Sequence, residues 1–397
     1  MRFILVLAAL MTFQNASASN FAEMVEKAAQ GARGEAWAQF TLGMMFANGD
    51  DVPKNDAEAV KWYRKAADQN YAAAQFNLGD MYAKGKGVSE DDAEAVKWYT
   101  KAADQGYVRA QYNLARAYGT GNGVTQNDTE AVKWYKKAAN QGLAEAQFNL
   151  AYMYRSGQGA SKNDAEALKW YKKAADQGLA EAEGTLGNMY AAGHGVPEND
   201  TEAVKWYRKA ADQGYALAQY NLAFMYANGH GVPENDTEAL KWYRKSANQG
   251  LAVAQTSVGF MHMTGVGVPA NIEEAFKWYR KAAVQHDSEG QYRIGWMYAA
   301  GNGVPENDTE AVKWLRKAAE QGHGPAQAHL AHMYNNGSGV PANYIKAYVW
   351  TSMAKAQGNK GGSITMNLTK PKMTKQQIAE AQVLAAKCYR SDYKDCD

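Results

Sequence analysis

Few residues in this chain of 397 have the types and spacing for covalent chemistry. Ser352-Met353-Ala354-Lys355 sets a lysine one helical turn beyond a serine. Serine enzymes that react with β-lactams use that spacing to activate the hydroxyl with an amine. The Ser-Asp-Asn and Lys-Thr-Gly motifs that complete such a site are missing, so the match reads as coincidence. His329 and His332 stand three apart and could share a metal from one helix face. No Asp or Glu accompanies them on that face, so a solvated or partner-facing pair is expected. Eight Gly-x-Gly pairs, from Gly85/Gly87 to Gly337/Gly339, precede helix starts, where a glycine-rich loop can cradle phosphate. They recur at a fixed interval with no strand before them, and turn geometry accounts for them better. Asn127, Asn199, Asn235 and Asn307 each open an Asn-Asp-Thr sequence that matches a glycan acceptor. The same asparagines are needed as helix caps, and that is the reading adopted. No catalytic residue, cofactor or metal site is expected.

What would position any of these residues is a repeat. Lys61-Trp62-Tyr63 returns with its tryptophan at 98, 134, 170, 206, 242, 278, 314 and 350, always 36 residues on. Only Trp37 and Trp296 lie outside that register. Nine copies at a fixed pitch predict stacked supersecondary units in place of one enzyme-like core. Each unit divides into two helices. In residues 71–106, Ala74, Leu78, Met81 and Tyr82 form the buried stripe of the first helix, which stops at Gly85. The second starts at an Asn or Asp (Asn55, Asp91, Asn127 and their equivalents) with Glu three residues later, resembling a capping box. It buries Ala59, Trp62, Tyr63 and Ala66 or their equivalents. It ends at a glycine, except at Asn70 and His286. One such hairpin cannot cover its own aromatics, so neighbours must, and stability becomes a sum over nearest-neighbour interfaces.

The termini read differently. Met1-Arg2, the apolar run Phe3 to Phe13 and the small residues Ala16-Ser17-Ala18 predict a secretory signal over 1–18. The run is too short to span a bilayer. Residues 19–34 read as an N-terminal capping helix, 35–358 as the nine repeats and 359–373 as a linker rich in Gly, Lys and Thr. Residues 374–397 read as a C-terminal capping helix and tail, opened by a capping box at Thr374/Gln377. Cys388 and Cys396 are the only cysteines, which in an exported chain favours a disulfide between them. Lys and Arg number 43 against 41 Asp and Glu, a balance that argues against nucleic acid as a partner.

The unit reads Ala-x-Ala-Gln-x-Asn-Leu-x-x-Met-Tyr-x-x-Gly-x-Gly-Val-Pro-x-Asn-Asp-x-Glu-Ala-x-Lys-Trp-Tyr-x-Lys-Ala-Ala-x-Gln-Gly. It closely resembles the Sel-one-like repeat (SLR), a relative of the tetratricopeptide repeat, over about residues 35–358. The resemblance implies an all-α fold: a right-handed α/α superhelical solenoid with the first helix of each unit on its concave side. It also implies an adaptor or binding scaffold, and for exported bacterial members a part in envelope assembly or host interaction. A cysteine-rich branch of the family has been described as binding or hydrolysing β-lactams. The repeats here contain no cysteine, a departure that weakens any transfer of that activity.

Comparison of the nine copies suggests where a ligand would sit. Positions equivalent to Ala73, Asn77, Asp80 and Lys84 vary most, and they follow one helical stripe. The row through Asp80 runs on through Arg116, Tyr152 and Asn188 to Phe224, Phe260, Trp296 and His332. Leu217, Phe224, Val253, Phe260 and Trp296 make an apolar stretch of the kind that marks an interaction site. Asn77, Asn113, Asn149 and Asn221 could bond a peptide backbone. The expected function is a periplasmic or secreted scaffold holding a protein or extended peptide in its groove. The alternative is a binder or hydrolase of β-lactams or peptidoglycan, and the aromatic rows would also suit an envelope polysaccharide.

Overall fold

The computed structural model describes residues 35–50 and 52–396, and these contain α-helices, a single 3-10 turn and no strand. The readings for the signal segment 1–18 and the capping helix 19–34 lie outside the described residues. The described residues up to Met189, with Gly193–Pro197, form one compact unit; Tyr190–Ala192 and the residues from Glu198 form the other. The first contains the pairs α1 (Ala36–Asn48) and α2 (Asp56–Asp68), α3 (Ala72–Ala83) and α4 (Asp92–Asp104), α5 (Val108–Thr120) and α6 (Asp128–Asn140), and α7 (Ala144–Ser156) and α8 (Asp164–Asp176). It also holds most of α9 (Ala180–Ala192). The second contains α10 (Asp200–Asp212), α11 (Ala216–Asn228) and α12 (Asp236–Asn248), α13 (Ala252–Thr264) and α14 (Ile272–Val284), α15 (Ser288–Ala300) and α16 (Asp308–Ala319), and α17 (Gly324–Asn336) and α18 (Tyr344–Ala356). It closes with α19 (Lys360–Thr369) and α20 (Lys375–Arg390).

Each second helix opens on the expected cap, but the cap is half a capping box. The Asn55 side chain accepts from the Glu58 backbone N–H at 3.1 Å. Asn55's own N–H is already bonded to the Phe46 carbonyl of α1. The Glu58 carboxylate therefore has nothing to accept there and pairs with Lys61 at 2.6 Å. The same exchange recurs at Asp91/Glu94/Lys97. The four Asn-Asp-Thr asparagines all cap helices in this way.

Two glycine positions show how closely the repeats approach. Gly79 of α3 faces Tyr99, and a Cβ there would lie 2.8 Å from the ring. Gly87, at φ +69°, passes so near the start of α2 that a Cβ would lie 2.3 Å from the Asp56 carbonyl carbon. The second glycine of each Gly-x-Gly is thus a contact between neighbouring repeats, as the turn reading requires. Asn70 and His286 adopt the left-handed conformation that glycine takes elsewhere. The indoles lie buried from Trp98 through Trp278. Each is covered on its outer face by the lysine three residues on, as with Lys101 Nζ 3.9 Å from the Trp98 ring centroid.

A ladder of glutamines joins the repeats. Gln111, buried in α5, donates to the Ala103 carbonyl at 3.2 Å. Its own Oε1 accepts from Gln141 Nε2 at 2.7 Å. The pattern repeats at Gln75/Gln105 and, in the second unit, at Gln219/Gln249, Gln255/Gln285 and Gln291/Gln321.

The linker expected over 359–373 is instead α19 followed by a 3-10 turn, Lys370–Lys372. The 36-residue register continues one half-repeat past Gly358, because Lys360 stands 36 after Gly324 at the start of α17. The composition that reads as a linker is what the packing needs. Asn359 caps the helix by accepting from Gly362 N–H. A Cβ on Gly362 would meet the Ala354 Cβ at 2.9 Å. Thr365 and Thr369 are buried, and Thr369 Oγ1 donates to the Thr365 carbonyl and the Asn335 side chain. After it, α20 opens on a full capping box at Thr374/Gln377 and buries Ala381, Ala385 and Cys388. Cys388 is disulfide-bonded to Cys396.

Candidate binding surface

The candidate surface is the outward stripe of the first helices. Its buried side fixes its orientation: Leu78, Leu114 and Leu150 in one unit and Leu222, Val258 and Ile294 in the other are at most 1 % exposed. The residues two positions after and five positions before them are consequently turned outward or held at the seam between helices.

In the second unit the stripe is apolar. Leu217 and Phe224 of α11 are 48 % and 45 % exposed, and Val253 and Phe260 of α13 are 39 % and 47 %. Phe224 also lies against the His230 ring, with centroids 6.0 Å apart. Trp296 does not share this exposure. It is half-buried against Ile294, Met297 and the residues around them, so the indole serves the core as well as the surface.

The asparagine row is only half-exposed, and its members are already engaged. Asn77 bonds the Tyr63 hydroxyl, Asn113 donates to Asp80 at 3.2 Å, and Asn149 donates to the Tyr112 hydroxyl at 3.4 Å. Asn221 is half-buried in α11. Tyr99 and Tyr135, which Asn113 and Asn149 also bond, carry phenols raised well above their ordinary range, chiefly by burial. Tyr171 and Tyr279 are pushed up to about 12 by the same cause. These phenols are neutral at any physiological pH.

The first unit presents a cleft of about 430 Å³ between α3 and α5, lined among others by Asp80, Lys84, Tyr99, Arg109, Tyr112 and Arg116. The Asp80 carboxylate is fully engaged by Lys84 at 2.7 Å, the Tyr99 hydroxyl at 2.7 Å and Asn113. The sequence reading named Asp80, Arg116 and Asn113 but not Arg109 or the cleft. The signal was present, since Arg109 and Arg116 are seven apart and share a helical face.

The candidate chemical groups are otherwise occupied. Ser352 donates to the Tyr348 carbonyl at 2.8 Å, which turns its hydroxyl back onto its own helix. His332 is bonded to Asn336. The His329 imidazole is held below its ordinary range, first by burial and then by His332, so both rings lie beside a second cleft of about 320 Å³ that Thr365 of α19 helps line. Among the described residues no group of three or more His, Cys, Asp or Glu is arranged to hold a metal, and no helix is long and apolar enough to cross a membrane.

Comparison with known proteins agrees with this architecture. The Sel1 repeat pattern matches nine consecutive stretches, 38–71, 72–107, 108–143, 144–179, 180–215, 216–251, 252–286, 288–323 and 324–359. The structure of c5321, described as a protective antigen present in uropathogenic Escherichia coli strains displaying an SLR fold, is 32% identical. That alignment covers 99% of this chain and 91% of that one, with a TM-score of 0.62. A Sel1 repeat protein from Oxalobacter formigenes is also 32% identical, over 83% of this chain and 93% of that one, with a TM-score of 0.64. No curated protein sequence matches. Nine repeats in register, all-helical hairpins and two similar solved structures establish that the chain belongs to the Sel1-repeat family.

Proposed function

We propose that the protein is an exported, non-enzymatic scaffold that holds a protein partner, or an extended segment of one, against its first-helix surface. The observation that carries this reading is the apolar stripe of the second unit. Four large side chains, Leu217, Phe224, Val253 and Phe260, stay exposed on successive first helices. Burial of such side chains is worth roughly 1.5–3 kcal/mol each, which the unbound chain forgoes. A role in protein binding accords with the Sel1 repeats. Export accords with Arg2, the apolar run after it and Ala16-Ser17-Ala18, and with the Cys388–Cys396 disulfide, a bond that persists in oxidising compartments. A place in envelope assembly or at the host surface belongs to the same proposal.

The test is affinity capture from envelope extract with the mature chain beside a Phe224→Ala/Phe260→Ala variant. Trp296 stays intact because it supports the core. The expected result is a partner retained by the native chain and lost by a variant of equal helicity. Equal capture by both would overturn the assignment to this stripe.

A further inference from the structure

The charged cleft of the first unit is independent of the apolar stripe and carries an inference of its own. The first helices of the described residues contain four arginines. Arg155 bonds Tyr171 and Arg293 bonds Glu289. Arg109 and Arg116 have no hydrogen-bond or ion-pair partner among the described residues, and both line the same cleft. One carboxylate in the cleft, Asp80, is already bonded by Lys84, Tyr99 and Asn113. Two further carboxylates reach the rim, Asp92 and Glu145. Each stands in the first turn of its own helix, where the unpaired backbone N–H groups offset its charge.

Arg109 is placed against its helix. It is the second residue of α5, and a cation in the first turn is disfavoured by the macrodipole. The equivalent positions in neighbouring repeats hold Ala73, Glu145 and Glu181, neutral or acidic as the dipole prefers. A guanidinium that costs stability, makes no internal bond and faces a cleft is accounted for by an anion from outside.

The spacing narrows the ligand. Seven residues of helix separate Arg109 from Arg116 along the axis by about 10 Å. A polyproline II segment repeats its side-chain direction every three residues and advances about 9 Å in doing so. We propose that this cleft takes an acidic stretch of an extended polypeptide, Arg109 and Arg116 each receiving a side-chain carboxylate from acidic residues three apart. The fork of each guanidinium suits a carboxylate bidentately, and the half-buried rings of Tyr112 and Phe76 line the same cleft.

The experiment is fluorescence anisotropy of full-length mature protein with three labelled, proline-rich nonapeptides. One carries Glu at positions i and i+3 and an amidated C-terminus, one carries Gln at both, and one carries Gln at both with a free C-terminal carboxylate. The Glu peptide should bind at least tenfold more tightly than either Gln peptide. Arg109→Gln and Arg116→Gln should each weaken it by about tenfold, and Arg280→Gln on a second helix should leave it unchanged. Raising salt to 1 M, where the screening length falls to about 3 Å, should weaken it further. Arg109→Lys and Arg116→Lys keep the charge and guard against misfolding, and should retain an intermediate affinity. Equal binding of Glu and Gln peptides, no binding of any, or indifference to both arginines would overturn the proposal. Preference for the free-carboxylate Gln peptide would overturn it in favour of a terminal carboxylate.

Discussion

At the scale of single residues, the repeat separates what the stack needs from what it leaves free. Gly87 belongs to the first class. An alanine there would strain a left-handed backbone and drive its Cβ into the Asp56 carbonyl, so Gly87→Ala should destabilise its repeat by about 2 kcal/mol or more. Amide exchange in α2 and α3 would register it. Phe224→Ala, by contrast, removes a side chain that is 45 % exposed and should change stability by only about 0.5 kcal/mol. Trp296→Ala should cost about 2 kcal/mol or more because the indole packs beside Ile294 and Met297. Chemical denaturation of the two variants side by side checks the contrast. Glu289 adds a pH dependence. The His323 hydrogen bond, with Arg293 assisting against burial, holds its carboxyl below its ordinary 4.5. Below that pH the unfolded chain binds the proton that the folded chain refuses, so this contribution is full above 4.5 and fades as pH falls through the folded value. Glu289→Gln should flatten the acid limb of stability against pH while leaving the neutral limb's slope alone.

At the scale of elements, the helices were legible in the sequence because their determinants are local. The Asn or Asp cap recurs in every copy, with Glu three residues on in all but the last, where Lys346 stands, and the structure follows the glycine stops to their exceptions at Asn70 and His286. What escaped was set by contacts between copies. The reading of 359–373 as a linker failed because Gly361, Gly362, Thr365 and Thr369 are poor helix formers taken alone. They become a helix where Gly362 must clear Ala354 and Thr369 must reach Asn335. The bonds of the asparagine row are illegible in the sequence because the tyrosines that engage Asn77, Asn113 and Asn149 lie some 14 to 37 residues away. The glutamine ladder escaped for the same reason, since each rung joins residues 30 apart. It should matter to stability. Gln111→Leu would take one bond each from the Ala103 carbonyl and the Gln141 amide, which keep Gly106 N–H and the Gly106 carbonyl respectively, at about 0.5–1.5 kcal/mol per bond. The loss should show as faster exchange on both sides of α4 and α5, with helices two repeats away in the same unit unaffected.

At the scale of the whole molecule, stability built from nearest neighbours makes an exposed end the place where a stack opens. The second compact unit ends on α20, which packs on α18, and on a tail tied by the Cys388–Cys396 disulfide. That tail contacts the last repeat much as one repeat contacts the next. The Gln357 rung of the ladder, itself exposed, donates to Gln327 and to the Tyr393 hydroxyl. The Tyr393 ring also covers Gly322, 3.0 Å from where its Cβ would be. Cys388 and Cys396 themselves lie within the last hydrophobic cluster, beside Leu315, Trp350 and Met353. Closing this short loop restricts the unfolded tail by roughly 2–3 kcal/mol in the chain-entropy account. Reduction should therefore free residues 389–396, release the Gln357–Tyr393 bond and raise exchange in α20 and α18, while α10 to α13 keep their protection. Amide exchange with and without reductant reads this directly. A uniform loss of protection through the unit on reduction would show that its helices unfold together and that the sum over neighbouring interfaces is the wrong description.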